Sequence, residues 1–364
     1  MVEALLRNHH AAGPLARLAL LALLAALAGP PAFAQTKGGG SSVADIALYQ
    51  GADRQPRLVE GAKKEGFVSI YTSATVEDMA ILTAAFEKKH PGVKVQVWRA
   101  ISENIVRRGV EEMRGGRHDA DIFETNGPDM ESLHREKVLQ EARSPHFADL
   151  IPGAVAPHRE WVGARINIYV VTYNTKLVKK EDLPRSYEDL LDPRWKGKLG
   201  IEANDPAWLA MIVNDLGEAK GLKLFRDIVT ANGMSVRKGH TLLTQLVVAG
   251  EVPMALTTYH YKAVQLKKSG APIDWIILPP GIARFQGMGL ARRAPHPHAA
   301  LLWFDFMLTD AQEMLARRDF TVTSRKVGSP AHQLSLRYVD PKVVLDESEK
   351  WGKLYNEIIT RQSR

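Results

Sequence analysis

Cysteine is absent from the whole of the 364-residue chain, which excludes a disulfide framework, thiolate metal ligation and a lipid-modified thiol. Long apolar stretches are missing as well. The apolar run from Leu18 to Ala28 falls short of the roughly 20 residues that a membrane-crossing helix needs. There is no basic stripe: the formal charge is +7, but the Lys and Arg residues are scattered among acids. This argues against nucleic acid as a partner and leaves a mild attraction for small anions. Catalytic signatures are lacking too. The chain contains no G-x-S-x-G elbow, no H-E-x-x-H and no G-x-x-x-x-G-K-[ST], and Gly287-Met288-Gly289 has no third glycine of a dinucleotide loop. His296 and His298 flank Pro297 without a third metal ligand beside them and read as solvated. A binding protein is therefore expected rather than an enzyme, with no cofactor.

The first 34 residues read as a secretory leader. Arg7 and Arg17 precede the apolar run, and Ala32-Phe33-Ala34 forms an A-x-A cleavage site. The mature chain is expected to begin at Gln35 and to be soluble in the periplasm without a lipid anchor. Residues 35–66 follow as a flexible tether, KGGGSS at 37–42, and an amphipathic helix over 43–65 stopped by Gly66. At roughly 150 residues per domain, the remainder is long enough for two domains.

From Phe67 onward the pattern alternates. Strands are predicted over 67–71, 93–98 and 120–123, with helices over 75–90, 105–114 and 128–136 between and after them. This alternation is that of an open, mostly parallel α/β sheet, on which ligands sit outside the strand C-termini. The loops 72–75 and 124–127 are accordingly candidate site elements. Residues 165–173, RINIYVVTY, form a β-rich run longer than one layer needs and read as a strand crossing between two lobes. A second α/β unit follows, with strands over 198–201 and 252–256 and helices over 206–216, 220–230 and 241–249. Residues 276–278, Pro279-Pro280-Gly281 and 285–291 form the return crossing. The helix over 298–308 is expected to be apolar on one side, through Leu301, Leu302, Phe304, Asp305 and Leu308. A last helix over 343–359 would lie on the surface through Val344, Trp351, Tyr355 and Ile358. The division is thus 67–165 for the first part of lobe one, 166–280 for lobe two, 281–335 for the return to lobe one, and 336–364 for a C-terminal helical tail.

Residues 250–261, GEVPMALTTYHY, place two phenols and an imidazole where a buried strand gives way to a helix. Thr257 or Thr258 is the expected N-cap of a helix over 259–268, and unpaired amides at such a start favour an anion. Tyr259, His260 and Tyr261 either face a ligand there or pack with their hydroxyls hydrogen-bonded.

Several phrases then fall together: IYTSA at 70–74, FEKKHPGVKV at 86–95, ADIFETNGPD at 120–129, SYEDLLDPRWKGKLGI at 186–201, AGEVPMALTTYHY at 249–261 and APHPHAALLWFDFML at 294–308. Together they resemble an extracellular solute-binding protein of an ATP-binding-cassette importer, in the cluster that includes ferric-iron-binding proteins, and the resemblance runs from about Gly66 to Val327. It implies two α/β lobes joined by crossing strands, with an ion or small molecule held in the cleft and closure by a hinge; a monomer is expected. It also implies an inner-membrane permease with its ATPase as the recipient of the closed form. Ferric members of that cluster bind iron through two adjacent tyrosines at the start of a lobe-two helix, often with a histidine or tyrosine after the first strand and an acid near the fourth.

Those iron positions are matched only in part. His260 separates Tyr259 from Tyr261, so on a helix of 3.6 residues per turn the two phenols diverge by roughly 200°. Both reach one ion only if the helix starts late. Ser73 and Thr75 stand after the first strand, and Asn126 stands about where the acid would be. Glu124 turns inward as a carboxylate, buries its stem or points to solvent. Ferric iron favours anionic oxygen, whereas hydroxyls and a carboxamide suit an uncharged or anionic ligand. The candidate ligand-binding set is Tyr71, Ser73, Thr75, Asn126, Arg165, Asn204, Tyr259, His260 and Tyr261, with Tyr259 and Tyr261 as metal ligands only for ferric iron as the transported ion. Arg165 either clamps an oxyanion or makes a structural salt bridge, and Asp205 is expected to cap the helix that starts with Pro206. A small solute bearing phosphate, phosphonate or carboxylate ranks ahead of ferric iron, and a ligand-loaded sensor for a receptor is a further reading.

Overall fold

The computed structural model describes residues 41–361; the leader and nearly all of the tether lie outside the described residues. Two helices, Val43–Leu48 and Arg54–Glu65, stand where the sequence suggested one. Pro56 is the reason. It lacks an amide hydrogen and clashes with the carbonyl four residues back, so a helix tolerates it only in its first turn and must restart before it. Gly66, at φ 80°, ends the second helix in the left-handed region.

The strands are β1 (Phe67–Thr72), β2 (Lys94–Arg99), β3 (Ile122–Asn126), β4 (Leu139–Gln140), β5 (Val162–Asn174), β6 (Leu199–Glu202), β7 (Ser235–Arg237), β8 (Met254–Tyr259), β9 (Ile273–Ile276), β10 (Gly281–Ala291), β11 (Thr321–Val322) and β12 (Leu336–Tyr338). They pair in the order β2-β1-β3-β10-β5-β8-β6-β7, with β4 and β12 also on β10 and β9 and β11 also on β5. In lobe one, β1 runs parallel to β2 and β3, connected through helices Val76–Lys89 and Ser102–Arg114. In lobe two, β6 runs parallel to β7 and β8. The long strand β5 belongs to both. Its Ile168 faces Ala283 of β10, and the next residue, Tyr169, faces Tyr259 of β8.

Each lobe has its own aromatic core. In lobe one Phe86 meets Trp303 and Phe306, and in lobe two Trp208, Phe225 and Tyr187 pack against one another. Two expectations are corrected here. Helix Pro297–Leu308 is buried at every position from Ala299 to Leu308 rather than on one side, because it packs against both the sheet and helix Arg54–Glu65. The C-terminal segment is not one surface helix. It forms helices Pro341–Asp346 and Ser348–Tyr355 and a π turn over Asn356–Thr360. Trp351, Tyr355, Ile358 and Ile359 are buried in the lobe-two core, and the Tyr355 hydroxyl donates to the Glu202 carbonyl. An apolar stripe specifies contact, while the depth of the groove beneath it decides burial, and that depth is set by residues far away in the chain.

Gly287-Met288-Gly289 serves close packing. A Cβ at Gly287 would stand 2.7 Å from Cγ of Met130, and one at Gly289 2.7 Å from the Glu160 carbonyl oxygen. Among the described residues no helix is long and apolar enough to cross a membrane.

Candidate ligand-binding site

Successive strand residues point to opposite faces, so every second side chain shares a face. On β3 these are Glu124 and Asn126, on β10 Arg284 and Gln286, and on β5 Arg165, Asn167 and Tyr169. The register sets Gln286 beside both Asn126 and Arg165, and Arg284 beside Asn167. Polar side chains thus form a row on one face, and of them Asn126, Arg165, Asn167, Arg284 and Gln286 line a cavity of about 530 Å³. Lobe two closes the cavity with Glu202, Asn204, Lys238, His240, Tyr259 and Tyr261. The Asn204 carboxamide donates to Glu103 of the opposite lobe, so the lobes touch at the rim.

Part of the lobe-one wall is a run of hydrogen-bonded neutral groups. Gln286 Nε2 donates to Ser73 Oγ at 2.9 Å, Asn167 Nδ2 to Gln286 Oε1 at 3.1 Å, and Asn126 Nδ2 to Ser102 Oγ at 2.9 Å. Arg165 bridges Glu124 at 3.4 Å, with its guanidinium over the Phe320 ring. The structural salt bridge is therefore present, and Arg165 still lines the cavity.

The floor at the lobe junction is charged. Arg284 is 7% exposed and donates to the Tyr259 hydroxyl; its guanidinium also lies 3.7 Å from Asp205 and 5.1 Å from the Tyr169 ring centroid. Asp205 is fully buried and accepts from the Tyr169 hydroxyl at 3.0 Å. The expectation that it caps the following helix is corrected: it occupies the N-cap position but makes no side-chain capping bond, because its carboxylate is turned to Tyr169 and Arg284. His240 Nδ1 donates to the Thr257 carbonyl at 2.9 Å, which leaves Nε2 a lone pair for the Tyr259 hydroxyl at 3.0 Å.

Burial sets the proton affinities. It pushes Asp205 up to about 6 against the pull of Arg284, and it drives His240 down to about 4, helped by Arg284. It also raises Tyr259, although Arg284 opposes this. Burial works against the charge on Arg284 itself, but Tyr169, Tyr259 and Asp205 more than offset it and hold the guanidinium firmly protonated.

His240 gives a prediction. Its folded pKa lies below the ordinary 6.5, so the unfolded chain binds the proton first and stability is lost as pH falls from about 6.5 towards 4. At pH 4.5 this loss is about 2 kcal/mol. Glutamine at position 240 has no such loss. Between pH 7 and pH 4.5, His240→Gln should therefore gain about 2 kcal/mol on wild type in urea unfolding; parallel pH dependences would refute a neutral buried imidazole.

Of the residues singled out in the sequence, Ser73, Thr75, Asn126, Arg165, Asn204, Tyr259 and Tyr261 line the cavity. Tyr71 does not. It shares the opposite face of the sheet with Phe123, donates to Glu112 at 2.8 Å and lies under the Arg108 guanidinium. His260 turns away to pack on Trp275, with ring centroids 4.6 Å apart. The helix start is corrected as well. Strand β8 runs on to Tyr259 and the helix is His260–Lys268, because Thr257 accepts from the Glu202 amide and Thr258 donates to the Val170 carbonyl within the sheet. The late start brings Tyr259 and Tyr261 together, with rings stacked 6.0 Å apart.

Sequence reasoning missed Tyr169, His240, Arg284 and Gln286, and Asn167 with them. The alternation R-x-N-x-Y at 165–169 and R-x-Q at 284–286 was the available signal, because polar residues at period two in a buried strand must share one face.

Glu202, Asp205 and His240 offer donor atoms within 4.8 Å of one another. Glu202, however, already accepts from the amides of Asn204 and Gly239, and Arg284 adds a fixed positive charge. A second group, Glu131, His134 and His158, lies outside this cavity. There the Glu160 carboxylate takes the His134 Nδ1 proton at 2.7 Å, and the Glu160 amide donates to His158 Nδ1 at 3.1 Å. His158 is left to donate from Nε2 to Glu131 at 3.2 Å and has no lone pair to offer an ion.

The family profile described as bacterial extracellular solute-binding protein matches residues 71–314. The chain belongs to this family. As a solute-binding protein of an ATP-binding-cassette importer it is 28% identical over 233 residues to an Fe(3+)-binding periplasmic protein of Serratia marcescens, across 63% of this chain and 68% of the relative. It is 24% identical to iron uptake protein A1 of Synechocystis, across 70% and 74%. Among solved structures, iron-bound HitA from Pseudomonas aeruginosa and AfuA from Actinobacillus pleuropneumoniae with exogenous fructose-6-phosphate each superpose with a TM-score of 0.71 at 21% identity. They cover 80% and 81% of this solute-binding protein and 99% of their own chains. The fold is the two-lobed periplasmic-binding-protein fold, and it carries both a metal ion and a sugar phosphate in those neighbours.

Proposed function

We propose that this solute-binding protein captures a small anionic solute bearing a phosphate, phosphonate or carboxylate group and presents it, as a periplasmic monomer, to an inner-membrane permease with its ATPase. The observation that carries this reading is Arg284, a buried guanidinium held on the Tyr259 hydroxyl at the cavity floor. A guanidinium fork gains charge-assisted bonds from an oxyanion. Ferric iron beside it meets a like charge in a poorly screened place, and its phenol ligand is already engaged by Arg284 and His240. The cavity, at about 530 Å³, suits an organic molecule. Ser73, Asn126 and Arg165 of lobe one and Asn204, Lys238 and Tyr259 of lobe two all face it, so a ligand that touches both walls favours the closed population.

Ferric iron is the second reading. It draws on the names of the relatives and on the two stacked phenols at one cavity. Thermal melting of ligand-stripped protein separates the two, since a ligand at a hundredfold over its Kd adds about 2.7 kcal/mol to the native state. Phosphate esters, phosphonates and carboxylates are compared with ferric citrate, with citrate alone as control. The melting temperature should rise with an organic anion. A rise with ferric citrate beyond that with citrate, together with a visible tyrosinate charge-transfer band, would overturn the anionic reading.

A further inference from the structure

Two buried guanidiniums line the cavity, and each is held by a different lobe. Arg165 bridges Glu124 and lies over Phe320, both of lobe one, whereas Arg284 turns to Tyr259, His240 and Asp205 of lobe two. They start as diagonal neighbours on one face of the sheet. Gln286 stands opposite Arg165, and Arg284, two residues before it, stands opposite Asn167, which puts the two arginine Cα atoms roughly 7–8 Å apart. From there the side chains diverge, and the other diagonal is taken by the bonded carboxamides of Asn167 and Gln286. The charges are already answered, Arg165 by Glu124 and Arg284 by Asp205, with Asp129 at longer range. The donors are not. Arg165 is 4% exposed and spends a single bond of 3.4 Å on Glu124, while its Nε is buried with no acceptor among the described residues. Nε of Arg284 is buried without one as well. A buried N–H that lacks an acceptor is costly, and a bound acceptor removes the cost.

The groups around Arg165 are donors too. Asn167 gives its amide protons to Asn126 and Gln286, and Gln286 gives its own to Ser73 Oγ, so the Ser73 hydroxyl proton is left over, with no acceptor among the described residues. Arg99 lines the same end of the cavity. It donates to the Ala74 carbonyl at 3.4 Å and has no carboxylate partner among the described residues. From this arrangement we infer that the cavity holds a second oxyanion subsite, on lobe one, made by Arg165, Ser73 and Arg99, and that the solute is a diacid with one acidic group there and the other on Arg284. The inference rests on the anionic-solute reading and narrows it. A compact oxyanion taken by one guanidinium leaves the donors of the other unmet, whereas a diacid meets both with charge-assisted bonds. It also ties the lobe-one guanidinium to the lobe-two one, so its second group adds to the preference for the closed population.

Matched pairs test this by calorimetry on the ligand-stripped protein: 3-phosphonopropionate against propylphosphonate, and glutarate against pentanoate. Within each pair the second acidic group should tighten binding by about tenfold or more, the size of a charge-assisted hydrogen bond. Arg165→Gln, checked by its melting curve, should erase the difference within each pair, and Ser73→Ala, which leaves the Glu124 ion pair in place, should shrink it severalfold. Equal affinities within both pairs, with binding retained, would refute the second subsite and leave the anionic reading standing. A difference that persists undiminished in both variants would take the subsite away from Arg165 and Ser73. Failure of all four compounds, with ferric citrate binding beyond citrate, would overturn both readings.

Discussion

Replacement of Arg284 by glutamine should lower the affinity for an anionic solute on the order of a hundredfold, because removal of one partner from a buried charge-assisted contact costs about 2–5 kcal/mol. The same substitution takes away the positive charge that opposes a trivalent cation, so an iron-binding protein would bind iron more tightly, not less. The sign of the effect therefore distinguishes the two cargoes. Fold stability changes too. Arg284→Gln leaves Asp205 without its guanidinium and Tyr259 without a charged donor, which costs about 1–3 kcal/mol, so titrations belong well below the melting temperature. Arg284→Lys keeps the charge but not the planar fork, and should retain part of the binding. Unchanged anion affinity in Arg284→Gln would remove this residue from the site.

Trp351→Ala carries the largest expected loss of stability, about 3–5 kcal/mol. The indole is 2% exposed among the lobe-two aromatics and donates from Nε1 to Glu347 at 2.6 Å. It belongs to helix Ser348–Tyr355, which packs on helix Pro206–Leu216. Since whole domains are stable by only about 5–15 kcal/mol, this one change consumes a large part of the margin. Urea unfolding followed by tryptophan-independent circular dichroism gives the number. A cost below about 1 kcal/mol would mean that the terminal helix is an appendage.

Much of the fold was legible because its strands are short, apolar and separated by amphipathic helices, so that the two periodicities seldom competed. The crossing strand stood out at 165–173 for the same reason. What escaped was long-range information. Nothing near Trp351 says that a groove beside helix Pro206–Leu216 lies open to receive it, and nothing near Thr258 says that its hydroxyl is used by Val170 across the sheet. On the cavity wall, Ser73, Asn126 and Asn204 were legible because ligands on parallel sheets gather at strand C-termini. Arg284 and Gln286 were missed because they lie within an antiparallel strand that returns from the other lobe, where that rule is silent and only the alternation of polar residues spoke. Tyr71 was misplaced by one step of the same alternation. Its neighbour Thr72, not Tyr71, shares the inward face with Glu124 and donates to it at 2.9 Å.

The chain passes between the lobes along β5, again between β9 and β10, and a third time after β12, on the way to the helix that carries Trp351. Neither lobe is therefore a contiguous piece of polypeptide. A nascent chain lacks β10, the central partner of β3 and β5, until residue 291 has been made, and lacks the plug of the second lobe until residues 351–359 have been made. Contacts between such distant segments form slowly. Each lobe can therefore complete its core only after distant segments of the chain have been made, so self-burial comes late in synthesis.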